Sequence, residues 1–456
     1  MSLQAEQRRP AFCALILATV IAVLDISAVN LALPSIAGDL ALSIEQALWL
    51  SKANLLACAV AILPCAALGD VVGHRRLLGL GLIVFAMTAA ATALGSDLWL
   101  LVTLRALQGC AGAAIMCSTL VLLREIFPAE MLGAALGINA LFVAVASTAG
   151  PALSGVMLSV LSWRWLFALS PPLALVAWVI GRAYLPQRQS PGGRFDLPGT
   201  CLLTGSATAW LMWHLNPRLT CLAGLAVLLT VLFVLHQRQA KWPILPFQVF
   251  SNLRFDYALA TSVIAFIGQS GVYIALPLEF QQNMAFSPLA AAALFIPWPL
   301  MTALVGPYAG KYADRVNPRL VASLGIGVFA AGLMALALLP QQALPLDIMW
   351  RTALCGVGFG LFQSPNNREI LTNILPQHAA RGAALLCTAR LLGQALGAVV
   401  VGMTYLQSSA RPTARGISEL LWSSSALQVG SLALGGLGLV LRRYYGRRSV
   451  VTSAGR

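Results

Sequence analysis

Long apolar runs, separated by short polar turns, fill most of this chain. A helix that crosses a membrane needs roughly 20 consecutive apolar residues, and the sequence contains about fourteen such runs. They span residues 11–33, 46–68, 77–95, 98–123, 131–158, 163–184, 197–215, 219–235, 256–280, 288–309, 319–339, 346–365, 380–406 and 419–441. The runs are continuous and rich in Leu, Ala and Gly, whereas the strands of a membrane barrel alternate apolar and polar positions. The pattern therefore predicts an all-α integral membrane protein with about fourteen transmembrane helices.

The composition and the distribution of charge strengthen that prediction. Of the 456 residues, 59% are hydrophobic and only 10% are charged, and the mean hydropathy is +0.82, whereas soluble domains are about 45–50% apolar. With the N-terminus inside, the cytoplasmic segments hold 21 Lys and Arg residues and the external segments hold four. Because cationic loops resist translocation, we expect a multi-pass protein of the inner (plasma) membrane with both termini cytoplasmic. The net charge of +14 then follows from topology, and we expect the lipid bilayer, not nucleic acid, to surround the protein.

The pattern divides the chain into three predicted regions. Two six-helix bundles, at residues 1–185 and 256–456, flank residues 186–255, which hold a polar linker and two extra helices. In each bundle, a turn with an Asp and at least two cations follows the second helix, at residues 69–76 and 310–319. This repetition indicates an internal duplication, and parallel six-helix repeats hold their binding site near the middle of the membrane. The loops are all short, so no soluble catalytic domain is predicted.

Two ionisable residues inside predicted helices, Asp25 near the middle of the first and Arg105 near the outer third of the fourth, are candidates for proton coupling. An ionised carboxylate at the centre of a span costs roughly 2.5–3.5 kcal/mol. Asp25 is therefore a candidate for taking up and releasing a proton as its surroundings alternate between water and protein. Arg105 keeps its charge and needs a counter-charge, for which Asp25 is a candidate. Two simpler readings stay open: a helix–helix hydrogen bond for Asp25, and an Arg105 side chain that reaches the outer interface.

Further polar and aromatic residues within the spans are candidates for lining a substrate cavity. They are Asn30, Gln108, Gln269, Glu279, Trp298, Gln363, Asn367, Arg390 and Gln394. The nine cysteines all lie in apolar spans without a C-x-x-C pattern, so we expect packing residues and no metal site. We expect no cofactor either, with the proton gradient as the source of energy.

Three motifs resemble those of the major facilitator superfamily. Residues 70–76 resemble its signature in the loop between helices 2 and 3, and residues 104–109 (LRALQG) resemble its helix-4 motif. Gly150 and Pro151, with Gly155, resemble the helix-5 motif of its antiporters. The resemblance implies two helical bundles of six, here with two inserted helices.

Three more motifs resemble the fourteen-helix drug:proton antiporter branch of that superfamily. Residues 24–34 (LDISAVNLALP) are similar to its helix-1 motif, and residues 162–167 and 194–199 also fit the branch. The resemblance extends over nearly the whole chain.

The resemblance also implies roles for individual residues. Asp70 would engage a helix of the opposite half in the outward-open state, Arg105 would assist proton coupling, and Gly150 with Pro151 would limit leakage. We expect a gate dominated by Asp70 and formed by Asp70, Gly73, Arg75 and Arg76 in the first turn and by Asp314 and Arg315 in the second.

The expected function is transport and not catalysis. We expect a monomeric, proton-driven exporter of small amphipathic compounds that works by alternating access. A proton-coupled transporter of metabolites or organic ions on the same fold, importing or exporting, stays open. A polytopic membrane enzyme would need clustered His, Asp or Glu at an interface, whereas the four histidines are scattered. A ligand-sensing receptor would need an output domain.

Overall fold

The fold is described by a computed structural model for residues 5–186, 195–215, 219–240, 243–245, 253–313, 315–340, 343–372 and 379–408. Within those residues every regular element is a helix, which confirms the predicted all-α fold. The helices before the linker are α1 (Ala5–Asp39), α2 (Ile44–Val72), α3 (His74–Leu94), α4 (Leu98–Ile126), α5 (Ala129–Val160), α6 (Arg164–Ala168) and α7 (Ser170–Tyr184). The later ones are α8 (Leu197–Leu215), α9 (Thr220–Gln239), α10 (Leu253–Leu278), a π-helical turn (Glu279–Asn283), α11 (Pro288–Phe295), α12 (Pro297–Ala313), α13 (Pro318–Ala337), α14 (Pro345–Thr372) and α15 (Ala379–Ser408).

Thirteen of the fourteen predicted spans overlap these helices, and the span at 419–441 lies outside the described residues. Within the described residues, nine helices are long and apolar enough to cross a membrane. The predicted span 288–309 is interrupted just before Pro297, where α11 gives way to α12. Proline cannot donate the helical hydrogen bond, which explains the break.

Helix packing divides the bundle into two halves. Before the linker, α1 packs against α5 and α7, and α2 packs against α4; after it, α14 packs against α12 and α13, and α10 packs against α15. The halves meet where α2 lies against α15, α5 against α11 and α12, and α1 against α10. The exact boundaries of the three regions, at residues 185 and 255, stay a prediction.

The halves are closed together at the end that carries the loop between α1 and α2. We call it the outer end, because the distribution of Lys and Arg predicts that it faces outward. One apolar cluster there joins α1 and α2 to α10, and its members Leu33, Leu48 and Leu278 are fully buried. Gln281 Nε2 also donates a hydrogen bond of 3.1 Å to the Leu31 carbonyl oxygen. Burial of apolar surface, the dominant stabilising contribution in folding, thus closes the outer end.

The two inserted helices form a hairpin. Helices α8 and α9 pack against each other, and α8 also contacts α2. The outward face of α9 remains largely exposed, with Leu228 at 53% and Leu235 at 49%. In a bilayer these apolar side chains face lipid.

A carboxylate holds the inner end of this hairpin together. Asp196 Oδ1 accepts hydrogen bonds from the Gly199 backbone N–H at 2.8 Å and from His236 Nε2 at 2.8 Å. Its Oδ2 accepts a hydrogen bond of 2.6 Å from Gln237 Nε2. Gln237 Oε1 in turn accepts from the Leu245 backbone N–H at 3.0 Å. One side chain therefore ties the start of α8 to the end of α9 and to the segment that follows.

We expect the Asp196→Asn substitution to destabilise the hairpin. Burial raises the pKa of Asp196, but the hydrogen bonds from His236, Gly199 and Gln237 outweigh it and lower the pKa below its ordinary value of 3.8. A lowered pKa in the folded state means that the stabilisation is complete above pH 3.8 and is lost as the pH falls through the folded-state pKa. Hydrogen bonds to a charged group contribute about 1.5–3 kcal/mol each.

The measurement is the apparent melting temperature of the purified protein in detergent. The wild type should melt above Asp196→Asn at neutral pH, and the difference should shrink as the pH falls below 3.8. Equal melting temperatures at neutral pH would contradict the role assigned to Asp196.

Candidate functional site

A buried charged network joins α1 to α4 halfway through the first half of the bundle. Arg105 Nη1 lies 2.6 Å from Asp25 Oδ2, and the two side chains are 1% and 2% exposed. Gln108, fully buried, donates to Asp25 Oδ1 at 3.1 Å and accepts from Arg105 Nη1 at 2.8 Å. The structure thus brings together the two residues whose pairing the sequence suggested, and Arg105 is buried instead of reaching the outer interface.

Contacts from neighbouring helices hold Arg105 in place. Its Nε donates to the Leu50 carbonyl oxygen at 3.2 Å, and Asn54 Nδ2 donates to the Arg105 carbonyl oxygen at 3.2 Å. The guanidinium also lies 5.4 Å from the ring centroid of Phe167, within the range of a cation–π contact. A methyl group at Gly109 would overlap the Asn54 backbone, so this glycine is what lets α2 and α4 approach so closely.

The contact between Asp25 and Arg105 depends on the charges of both side chains. A buried ion pair is stabilised only while both charges are present, because each charge has lost its hydration. Protonation of Asp25 removes its charge and weakens the contact with Arg105. The arginine then keeps Gln108 Oε1 and the Leu50 carbonyl oxygen as acceptors, so its charge stays satisfied in part.

The candidate antiporter motif on α5 lies against α1 next to this network. A methyl group at Gly150 would overlap the Ser27 side chain, two residues along from Asp25. Ser154 Oγ donates to the Ala28 carbonyl oxygen at 3.0 Å, and Pro151 lies inside the continuous helix α5. Helix α5 therefore packs directly against the segment of α1 that carries Asp25.

Gly155, one turn further along α5, lies at the junction of the two halves. A methyl group there would lie 2.7 Å from Ala292 Cβ and 3.1 Å from the Pro288 carbonyl oxygen of α11. The contact belongs to the closed outer end.

The first gate turn lies between α2 and α3. Asp70 Oδ1 is 3.2 Å from His74 Nε2, a partner that the sequence analysis did not identify. Gly73 adopts φ 95°, in the region that favours glycine, and so permits the sharp turn. Arg75 Nη2 donates to the Arg182 carbonyl oxygen of α7 at 2.5 Å, and the neighbouring Arg76 is exposed.

The second turn is described only in part. Asp314 lies outside the described residues, and Arg315 is exposed. Beside it, Arg319 Nε and Nη2 both contact Glu369 Oε1, at 2.8 and 2.7 Å. Arg368 donates to the Ala313 carbonyl oxygen at 2.8 Å. These contacts cross from α13 and α12 to α14, and no local sequence pattern could have identified them.

The candidate cavity residues fall into two groups, one in each half. Asn30 and Gln108 belong to the first half, where Asn30 Oδ1 accepts a hydrogen bond of 2.7 Å from Ser51. Seven lie on helices of the second half: Glu279 and Trp298 are buried, and five are partly buried, namely Gln269, Gln363, Asn367, Arg390 and Gln394. Among the described residues, no group of three or more His, Cys, Asp or Glu side chains is arranged to hold a metal ion.

Two packed helical halves, the first of which holds a buried charged network at mid-depth, define a polytopic membrane transporter. A protein-family profile described as Major Facilitator Superfamily matches residues 15–398. The chain therefore belongs to this superfamily.

Relatives of similar length support that membership. The chain is 36% identical over 406 residues to the uncharacterized transporter YebQ of Escherichia coli K12, covering 87% of this chain and 89% of that protein. It is 28% identical to the riboflavin transporter RibZ of Clostridioides difficile, with 84% and 85% covered. It is 27% identical to the multidrug efflux pump LfrA of Mycolicibacterium smegmatis, with 87% and 80% covered.

A solved structure shares the fold. The crystal structure of a bacterial homologue of the human lysosomal transporter Spinster, inward-facing and unoccupied, matches with a TM-score of 0.68 at 14% identity, covering 95% of this chain and 97% of that one.

Proposed function

We propose that this protein is a proton-coupled exporter of small amphipathic compounds and works by alternating access in the inner (plasma) membrane. The observation that carries the proposal is the ion pair of Asp25 and Arg105, buried at mid-depth and linked by Gln108. An ionisable group inside a membrane bundle is costly and by default functional. We further propose a monomer with both termini cytoplasmic that uses no cofactor.

In the proposed cycle, Asp25 exchanges its proton when the bundle changes the side that it opens. Ionised Asp25 pairs with Arg105 and holds α1 against α4. Protonated Asp25 releases that contact, so α1 can move relative to α5, which touches it at Gly150. The gate turns around Asp70 and Arg319 lie at the inner end of the bundle, opposite the apolar cluster that closes the outer end. There they would open and close the inner side.

Drug export is supported by the relatives that are named as efflux and resistance proteins, LfrA among them. Because RibZ is named as a riboflavin transporter, metabolite transport is the second candidate. The fourteen-helix drug:proton antiporter branch remains our proposal for the placement of the chain within the superfamily.

The test uses inverted membrane vesicles from an efflux-deficient host that expresses the protein. After respiration has acidified the vesicle lumen, adding a substrate of a proton antiporter should release part of the pH gradient, because protons leave as the compound enters. A panel of cationic dyes, biocides, organic acids and riboflavin separates the two candidates. If no compound changes the gradient relative to vesicles without the protein, proton-coupled export is excluded for that panel. Uptake of a labelled compound by intact cells, driven by the inward proton gradient, would indicate import instead.

A further inference from the structure

Arg390 on α15 is a charged side chain that faces the interior of the bundle. Among residues 385–401, the part of α15 whose burial is described, Leu392 and Leu396 are the most exposed, at 42% and 38%, which marks the face toward lipid. A residue two positions away on a helix is turned by about 200°, so Arg390 and Gln394 lie on the face opposite Leu392. The partial exposure of Arg390 is therefore exposure to the interior.

The surroundings of Arg390 are aromatic. Its guanidinium lies 5.4 Å from the ring centroid of Phe266 on α10, and it interacts electrostatically with Tyr273 on the same helix. Phe266 and Tyr273 are seven residues apart, so both lie on one face of α10. Gln269 lies between them in the sequence and is partly buried.

No carboxylate in the described part of the chain forms an ion pair with Arg390. Asp25 is already engaged by Arg105 and Gln108. Glu279 lies thirteen residues beyond Phe266, roughly 20 Å away along the helix axis at about 1.5 Å per residue. Buried charges in proteins are paired as a rule, so the counter-charge of Arg390 has to come from something other than these carboxylates.

A second polar group beside this surface also lacks a partner. Trp298 is fully buried, and its Nε1 donor has no acceptor among the described residues. Its ring packs edge-on against Tyr273 with centroids 5.3 Å apart. Buried donors are nearly always satisfied, so an acceptor that arrives next to Tyr273 would complete the site.

We infer that Arg390, Phe266, Tyr273 and Trp298 form a recognition site for an anionic group carried on an aromatic ring. The substrate class would then be aromatic carboxylates or sulfonates, not organic cations. Guanidinium binds such groups with two parallel hydrogen bonds, and the partly exposed ring of Tyr273 supplies apolar surface for the ring of the ligand. This inference shares one assumption with the proposed function, namely that the substrate binds in the interior of the bundle.

The test compares three probes that share a naphthalene ring and differ in charge: 1-naphthoate, 1-naphthylmethylammonium and 1-naphthalenemethanol. Binding to the purified protein in detergent is measured by calorimetry at pH 7. We expect 1-naphthoate to bind at least about tenfold more tightly than the cation, a difference of about 1.4 kcal/mol. Arg390→Gln should remove that preference, and Arg390→Lys should retain part of it, because the lysine keeps the charge but not the two-pronged geometry.

Arg351→Gln is the matched control, since Arg351 pairs with Asp347 near the outer end of α14 and should leave the preference unchanged. Equal binding of the three probes to the wild type, or an anion preference that survives in a folded Arg390→Gln protein, would overturn the site. If Arg390→Gln does not fold, Arg390→Lys provides the test. A folded Arg390→Lys protein that binds 1-naphthoate as tightly as the wild type would also overturn the site.

The binding assay contains neither a membrane nor a gradient, so it is independent of proton coupling. An anion preference without proton-coupled efflux would refute the proposed function and leave the site intact. Proton-coupled efflux of cations, with no preference for the anionic probe, would refute the recognition site and leave the proposed function intact.

Discussion

Replacing Asp25 by asparagine should abolish proton-coupled transport while the protein still inserts into the membrane. Asparagine keeps one acceptor oxygen for Arg105, whereas its NH2 group would face the Gln108 Nε2 donor, and it cannot exchange a proton. Arg105 would keep its acceptors on Gln108 and Leu50. Because proton exchange through Asp25 is an obligatory step of the proposed cycle, we expect complete loss and not a partial decrease.

The measurement uses the purified protein in liposomes that contain a pH-sensitive dye. Substrate-driven proton movement should fall to the level of empty liposomes for Asp25→Asn and persist, more slowly, for Asp25→Glu. Asp347→Asn is the matched control, since it also removes a carboxylate paired with an arginine, but near the outer end of α14. Undiminished proton movement in Asp25→Asn would remove Asp25 from the mechanism.

Losing one partner of a buried ion pair costs about 3–5 kcal/mol when the other charge is left uncompensated. The double variant Asp25→Asn with Arg105→Met removes both charges and separates this effect from the loss of proton exchange. We expect the double variant to be more stable to heating than Asp25→Asn and equally inactive.

Replacing Gly155 by leucine should open the outer end of the bundle. Even a methyl group at this position would lie 2.7 Å from Ala292 Cβ, so a leucine forces α5 away from α11. Overpacking costs about 1–3 kcal/mol, which shifts an equilibrium between two states by roughly 5- to 150-fold. The ratio of molecules closed to molecules open at the outer end would fall by that factor, and efflux would decrease.

Efflux by resting cells measures the loss of transport, and passive leakage from liposomes measures the opening of the outer end. Gly155→Leu should lose efflux and increase leakage, and Gly155→Ala should show a smaller effect of the same sign. Gly224→Leu on α9 is the control, because nothing lies within 4 Å of a Cβ at Gly224. Normal efflux by Gly155→Leu would mean that the contact between α5 and α11 is not part of the gate.

The helices were predictable because their signal is local. A continuous apolar run longer than the bilayer specifies a helix whatever surrounds it, and thirteen runs indeed overlap helices. The pairing of Asp25 with Arg105 was also within reach, since a buried arginine needs a counter-charge and few acidic residues lie inside the spans. Gly155 followed from a resemblance, which identified the residue but not its neighbour Ala292.

Contacts between distant helices were out of reach. The pair of Arg319 and Glu369 joins residues 50 positions apart, and their approach depends on how α13 packs on α14. The aromatic surface around Trp298 draws on α10, α11, α12 and α13. In a helix that is apolar all round, periodicity does not mark which face meets which neighbour. Both features had to come from the packed structure.

The hairpin of α8 and α9 has a practical consequence for imaging. It packs chiefly on itself, and its outward face is open to lipid, so a rigid fusion partner grafted between Leu215 and Thr220 would stand clear of the two halves. A chain of 456 residues without large soluble loops offers few features for aligning particles in electron cryomicroscopy. This connection is a site where a fiducial marker can be attached.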